Sequence, residues 1–324
     1  MNASSSSPGP VIDAPTSSPS GFDDGFDPQR RFGGLARLYG EGAPRRMAQA
    51  HVAVVGLGGV GSWTAEALAR TGVGALTLID LDVVSESNIN RQLHALGQTV
   101  GQSKIDAMAA RIMDINPACV LTLVDDFVTP DNVAAHLSGQ YSVILDCADQ
   151  ASAKIAMILH ARSHRTPVVV CGGAGGKTDP LALRGGDLSQ ACHDALLAKL
   201  RNTLRREHGF ARPSGKGGKS RTPRMHVQAL WLDQPVRLPD AWQRQAHQAG
   251  HQEGDRAGHQ EGDQAAHQEG DQAGHQDATP GQQAERVLAG AALACAGYGS
   301  IVTVTAAMGM AAAHLAVERI LQTP

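Results

Sequence analysis

Aromatic residues make up only 3% of this 324-residue chain, so any core must be filled by Ala, Val and Leu rather than by large rings. Apolar residues at 42% still suffice for a packed interior, and the length allows one large domain plus tails. Cysteine is sparse too. The five thiols (Cys119, Cys147, Cys171, Cys192 and Cys295) include no Cys-x-x-Cys pair, so neither a disulfide framework nor a structural zinc site is expected. Neither sign of charge dominates. A formal net charge of −3 excludes a globally basic nucleic-acid binder, and any RNA contact must come from a local patch. The N-terminus, M-N-A-S-S-S-S-P-G-P, lacks the basic-then-apolar layout of a signal peptide, so a reducing cytoplasm is the expected location.

Composition then divides the chain. Residues 1–28 are rich in Ser, Pro, Gly and Asp and are expected to be a disordered tail. Residues 246–277 repeat an octamer, Q-A-G-H-Q-E-G-D, R-A-G-H-Q-E-G-D, Q-A-A-H-Q-E-G-D, which has almost nothing apolar to bury. The reading is therefore a folded region over 29–324, interrupted by a disordered repeat insertion at 246–277. Residues 287–313 carry no charge and are long enough to raise the question of membrane association. Their many glycines and threonines favour instead a helix packed in a core or a dimer interface.

From His51 onward the pattern is that of an α/β protein. Strands are expected at 51–55, 75–80, 120–124, 141–146 and 167–171, with helices at 62–71, 102–114, 131–138 and 151–165 between them. Continuous apolar strands suit a mainly parallel sheet covered on both faces, a Rossmann-like doubly wound fold with its ligand at the C-terminal strand edge. A helix at 194–208, a strand near 224–232 and a C-terminal helical extension over 285–321 follow.

The sequence V-V-G-L-G-G-V-G-S (54–62) joins the first strand to its helix. Gly56 permits the tight turn, Gly58 and Gly59 let backbone approach a phosphate, and Gly61 allows close helix–sheet packing. Phosphate would lie at the helix N-terminus, where unpaired N–H groups and the macrodipole favour negative charge. Asp80, ending the second strand, is placed to accept hydrogen bonds from a ribose. A glycine loop alone does not separate a nicotinamide or flavin site from an ATP site. The block after Asp80 does. Asp82, Asn88, Arg91, Gln92 and Lys104 combine carboxylate, amide, guanidinium and ammonium in one short segment, a set suited to holding a triphosphate and neutralising a pyrophosphate leaving group.

In order and spacing, G-L-G-G-V-G-S (56–62), D-L-D (80–82), S-N-I-N-R-Q (87–92), V-G-Q-S-K (100–104), I-N-P (115–117) and L-D-C-A-D (145–149) resemble the E1-like adenylyltransferases of the ThiF and MoeB type. Four further stretches resemble one branch of these, the dehydratases of tRNA threonylcarbamoyladenosine. They are R-F-G-G-L-A-R-L-Y-G (31–40), C-G-G-A-G-G-K-T-D-P (171–180), D-A-L-L-A-K-L-R (194–201) and G-Y-G-S-I-V-T-V-T-A-A-M-G (297–309).

The resemblance implies an enzyme that uses ATP to cyclise the threonylcarbamoyl group beside the tRNA anticodon. A carboxylate oxygen attacks the α-phosphate, giving an acyl-adenylate and pyrophosphate, and an internal nucleophile then expels AMP. It implies Asp80 at the ribose, Asp146 on a Mg2+ ion, Arg91 and Lys104 on the phosphates, and Asn88 and Gln92 fixing their neighbours. Asp149 is read as the cap of the helix after Asp146. Arg31 would reach across a homodimer to the other subunit's triphosphate. A cysteine desulfurase or sulfur-acceptor system is a candidate partner. For tRNA, the candidate contacts are Lys177 and the basic run Arg201, Arg205, Arg206, Arg212, Lys216, Lys219, Arg221 and Arg224. Two other readings stand beside this one, an adenylyltransferase for a sulfur-carrier protein and a nucleotide-binding module without catalysis.

Overall fold

The chain is described here by a computed structural model over residues 11–12, 26–213, 222–239 and 298–322. Its strands are β1 (Val11–Ile12), β2 (His51–Val55), β3 (Ala75–Ile79), β4 (Val120–Val124), β5 (Val143–Asp146), β6 (Val168–Cys171), β7 (Leu183–Asp187) and β8 (Gln228–Leu232). They form one sheet in the order β1-β4-β3-β2-β5-β6-β8-β7. All pairings from β4 to β8 are parallel, and β1 and β7 add antiparallel edges. The central strands are apolar and buried on both faces, because helices cover both sides. The order reverses between β2 and β5, so the loops leaving these two strands diverge and open a crevice at their C-terminal ends.

Nine helices flank the sheet among the described residues. Three short ones, α1 (Pro28–Phe32), α2 (Gly34–Tyr39) and α3 (Ala43–Gln49), precede β2. The others are α4 (Gly61–Arg70), α5 (Lys104–Ile115), α6 (Val133–His136), α7 (Ala151–His164), α8 (Ala195–Glu207) and α9 (Val302–Gln322). Glu66 of α4 is buried and ties its own helix to α5. It accepts from Arg70 at 2.7 Å and from Arg111 through both carboxylate oxygens at 2.6 and 3.0 Å.

The apolar C-terminal extension is a core element. α9 is long and apolar enough to cross a membrane, yet it lays Val304, Met308, Ala312, Ala313, Ala316, Val317 and Ile320 into the main hydrophobic cluster. Each fully buried Val, Met or Ile of this kind contributes roughly 1.5–3 kcal/mol. The approach to α4 is close because Gly309 has no side chain. A Cβ there would lie 2.5 Å from the Val60 carbonyl oxygen and 2.7 Å from Trp63 Cβ. The Thr64 hydroxyl donates to the Gly309 carbonyl at 3.2 Å, fixing the register of the two helices.

Three features depart from the sequence reading. Within the tail expected to be disordered, Val11–Ile12 pair with Leu121 and Thr122 of β4. Strand β7, L-R-G-G-D, was not expected, since its glycines and arginine show no apolar alternation. It is held by pairing with β8 and by Asp187, which accepts N–H bonds from Ser189, Met225 and His226. Helices α1 to α3 are too short for periodicity to delimit. The octamer repeats, the 285–297 part of the expected final helix, and Lys216, Lys219 and Arg221 lie outside the described residues.

Candidate nucleotide site

The loop between β2 and α4 is shaped by glycine where the backbone permits nothing else. Gly56 sits at φ +86°, and a Cβ there would meet the Ala148 amide nitrogen at 2.9 Å. A Cβ on Gly61 would lie 1.8 Å from the Gly56 carbonyl oxygen, so the first turn of α4 folds directly over the loop. Gly58 has open space beside it and presents bare backbone, and Gly59 is covered by the Thr305 methyl of α9. The start of α4 therefore adjoins a cavity of about 530 Å3, lined by Gly58, Gly59 and Val60, while Ser62 N–H is already paired with Gly58 O at 3.1 Å.

That cavity gathers most of the expected residues. Gly56, Gly58, Gly59, Asp80, Asp82, Asn88, Arg91, Gln92 and Lys104 all line it, and Gly61 lies beneath. Asp80 is nearly buried. Its two oxygens accept from Leu57 N at 2.6 Å and Asp82 N at 2.9 Å, which pins the glycine loop to the end of β3. Burial pushes the Asp80 carboxyl up, while the Lys104 ammonium at 3.9 Å opposes this. Lys104 begins α5 and pairs with Asp82 at 2.6 Å. Arg91 is half-buried, its guanidinium resting on Ser87 O at 2.7 Å and Asn90 Oδ1 at 3.0 Å. The Arg91 carbonyl accepts from Trp63 Nε1 and from the Thr305 hydroxyl, each at 3.1 Å, so α4 and α9 together position it. Asn88 closes a capping box with Ser85. Gln92 is 6% exposed, and its Oε1 has no hydrogen-bond partner, which leaves an unsatisfied acceptor beside the cavity. His94 behind it donates from Nε2 to Leu57 O at 2.8 Å, and burial lowers its imidazole to about 4, so it is neutral near pH 7.

Three residues have surroundings other than the sequence reading gave them. Asp146 is completely buried and does not line the cavity; its carboxylate pairs with Lys154 at 2.9 Å and accepts from Ala148 N at 3.2 Å. Complete burial pushes that carboxyl up, and Lys154 works against the shift. Its second oxygen, Oδ2, has no hydrogen-bond partner. Asp149 instead is exposed and lines the cavity, while the N-cap position of α7 belongs to Gln150. Lys177 lines the cavity but is 3% exposed, and its ammonium donates to the carbonyls of His193 (2.7 Å) and Gln234. Burial also lowers its pKa. It ties two loops together.

Arg31 donates to the carbonyls of Asp114 and Ile115 at 2.8 and 2.7 Å, capping the C-terminus of α5. Lys104 stands at the opposite end of that 12-residue helix, so Arg31 is roughly 15 Å from its own chain's cavity. Of the basic run, Arg201 turns inward to Ala191 O at 2.7 Å, and Arg205 has enclosed guanidinium nitrogens without partners. Arg206 and Arg212 are exposed; the first pairs with Glu207 and the second donates to carbonyls closing α8.

Cysteines lie near the site without being poised for attack. The Cys147 and Cys171 sulfurs are 4.0 Å apart, and that contact together with burial raises the Cys171 thiol well above its usual range. The Cys192 thiol donates to Asp233, which also raises it. Asp149, Lys154 and Trp63 are the contributors that sequence reasoning missed. Lys154, alone among apolar residues in A-K-I-A-M-I-L, was the one legible signal of a buried partner.

A model of the ThiF family matches residues 32–324. The chain belongs to the ThiF family. The tRNA threonylcarbamoyladenosine dehydratase of Escherichia coli K12 is 53% identical over 191 residues, which is 59% of this chain and 71% of that protein. The crystal structure of E. coli tRNA N6-threonylcarbamoyladenosine dehydratase, TcdA, in complex with ATP superposes with a TM-score of 0.67 at 37% identity. That match covers 90% of this chain and 94% of the other. The molybdopterin-synthase adenylyltransferase of Salmonella typhimurium matches less of the family member described here, 37% identity over 37% of the chain and 48% of that protein.

Proposed function

We propose that this ThiF family member is an ATP-dependent dehydratase that cyclises N6-threonylcarbamoyladenosine next to the anticodon of tRNA. The observation that carries the reading is the cavity itself. A helix N-terminus, bare glycine backbone, Arg91 and Lys104 converge on one crevice, in a chain similar to dehydratases of this substrate along most of its length. The threonyl carboxylate attacks the α-phosphorus of ATP, the bond to the pyrophosphate oxygen breaks, and the acyl-adenylate forms. Attack by an internal nucleophile of the threonylcarbamoyl group closes the ring and releases AMP, for a net loss of one water.

In this scheme Asp80 and the loop it pins orient the ribose, and Gln92 Oε1 gains the donor it lacks. Arg91 and Lys104 neutralise charge growing on the phosphates, a role worth more in an enclosed cleft than in water. Asp149 has the right chemistry for Mg2+, an accessible carboxylate oxygen on the cavity wall; the ion would draw charge from the phosphates. A two-fold homodimer in the cytoplasm completes the proposal. Supporting assembly, the segment after β3 exposes Val83, Ile89, Leu96 and Val100, all at least 44% accessible. The exposed Arg206, Arg212 and Arg224 are the candidate tRNA contacts.

The test is mass analysis of nucleosides from threonylcarbamoylated tRNA treated with protein and ATP, isolated gently because a cyclic product can reopen by hydrolysis. Loss of one water from that nucleoside, with AMP release dependent on tRNA, is the expected result. ATP–pyrophosphate exchange that requires a sulfur-carrier protein and no tRNA would favour the second reading. Nucleotide binding without AMP release under any condition would favour a regulatory module.

A further inference from the structure

Cys192, His193 and Asp233 meet at the rim of the cavity, where the loop entering α8 passes the end of β8. The Cys192 Sγ–Asp233 Oδ1 distance is 3.0 Å, His193 Nε2 is 3.7 Å from the same oxygen, and all three donor atoms lie within 4.8 Å of one another. Metal bonds of about 2.0–2.3 Å in a tetrahedron place their ligand atoms roughly 3.3–3.6 Å apart, so small side-chain rotations bring these three into range.

The backbone beneath them is held independently of any ion. His193 adopts φ +53°, and its carbonyl accepts from Lys177. Asp194, next in sequence, caps α8 by accepting from Leu197 N at 2.9 Å and also takes the Gly173 N–H at 2.8 Å. Asp233 N donates to Ala182 O at 2.9 Å. Two separate segments therefore arrive with their side chains already converged, as a preorganised site requires.

We propose that Cys192, His193 and Asp233 bind one Zn2+-class ion at the rim of the cavity, leaving a fourth position for water or an anionic ligand. A sulfur, an imidazole nitrogen and a carboxylate oxygen form a borderline donor set. Zn2+ accepts such a set, whereas Mg2+ and Ca2+ call for oxygen throughout. Binding would transfer the Cys192 proton to solvent and replace the S–H···O contact with two bonds to the metal. Three protein ligands with one open place differ from the closed four-cysteine pattern of structural zinc. His193 also lines the cavity, which sets the ion beside the nucleotide site.

Co2+ titration of the full-length protein tests this, because cobalt reports the sulfur ligand directly. The octamer repeats carry His251, His259 and His267 and no cysteine, so cobalt held there gives no thiolate signal. The expected result is a thiolate-to-cobalt charge-transfer band with four-coordinate visible bands, saturating at one equivalent and abolished by Zn2+. Cys192→Ser should remove the charge-transfer band. His193→Asn, which tolerates a positive φ, should weaken binding by more than about tenfold, the lower bound for losing even an outer-shell partner. All three side chains are exposed, so the variants should retain the parent circular dichroism. Absence of the thiolate band in the unaltered protein, or its persistence in Cys192→Ser, would overturn the proposal.

Discussion

Lys104 and Lys177 are both nearly buried lysines on the wall of one cavity, yet they sit in regions built on different principles. Around β2 to β4, Lys104 faces the carboxylates of Asp80 and Asp82, and its neighbours Arg91 and Gln92 keep donors or acceptors available. Around β6 to β8, Lys177 is used up on two backbone carbonyls, and Arg201 is likewise turned onto Ala191 O. A cation facing carboxylates can exchange them for phosphate. One facing carbonyls across a loop junction is a tie, because releasing it strands two acceptors. Residue type therefore says little about role until the partner is known, and substitutions in the two regions should separate activity from stability.

The largest effect is expected at the buried pair beneath the cavity. Asp146→Ala leaves the buried Lys154 ammonium only the residue-146 carbonyl at 3.3 Å and should cost about 3–5 kcal/mol of stability, the usual consequence of breaking a buried ion pair. Urea unfolding measures it, and an unchanged midpoint would mean that Lys154 finds another partner. Asp149→Ala should do the opposite, lowering turnover by on the order of 10²–10³ with little change in urea midpoint. AMP release under saturating ATP is the measurement, and near-normal rates would remove Asp149 from the phosphate site.

Lys177→Met should lose about 1–3 kcal/mol of stability through its stranded carbonyls, with tRNA affinity unaltered. A selective loss of tRNA binding would return Lys177 to the substrate surface. Arg31→Ala should be milder still, about 0.3–1 kcal/mol for a cation at a helix C-terminus, with turnover retained. Inactivity at unchanged stability would instead indicate that Arg31 serves a neighbouring subunit. Subunit exchange with Asp149→Ala protein would then restore activity in mixed dimers. Arg206→Ala, at an exposed ion pair, should move stability by less than about 1 kcal/mol and show its effect, if it contacts RNA, in the salt dependence of tRNA binding.

Most of the sheet and the nucleotide loop were legible because their causes are local. Strands 51–55 and 120–124 match to the residue, since an apolar run flanked by polar turns has one way to sit in a parallel sheet. The glycines at 56, 58, 59 and 61 could be assigned because steric exclusion acts between atoms close in sequence or on the adjoining strand. Asp80, Arg91 and Lys104 followed from spacing after β3. β7 escaped notice because its formation depends on β8, more than forty positions later in the chain.

What only the tertiary structure decided is which of several chemically equal side chains meets the cavity. Asp146 and Asp149 stand three positions apart, and nothing in their identities distinguishes a cavity-lining carboxylate from a buried counter-ion. The distinction comes from the strand: Asp146 is its last buried residue, where α7 delivers Lys154, and Asp149 lies beyond the sheet edge in solvent. In the same way the apolar 302–322 segment determined a helix by itself, while its burial depended on Gly309 meeting α4. Backbone conformation and apolar patterning act over a few residues and can be read along the chain. The partner of a charge is set by which elements the fold brings together, and desolvation then decides whether that charge binds a ligand or holds the core.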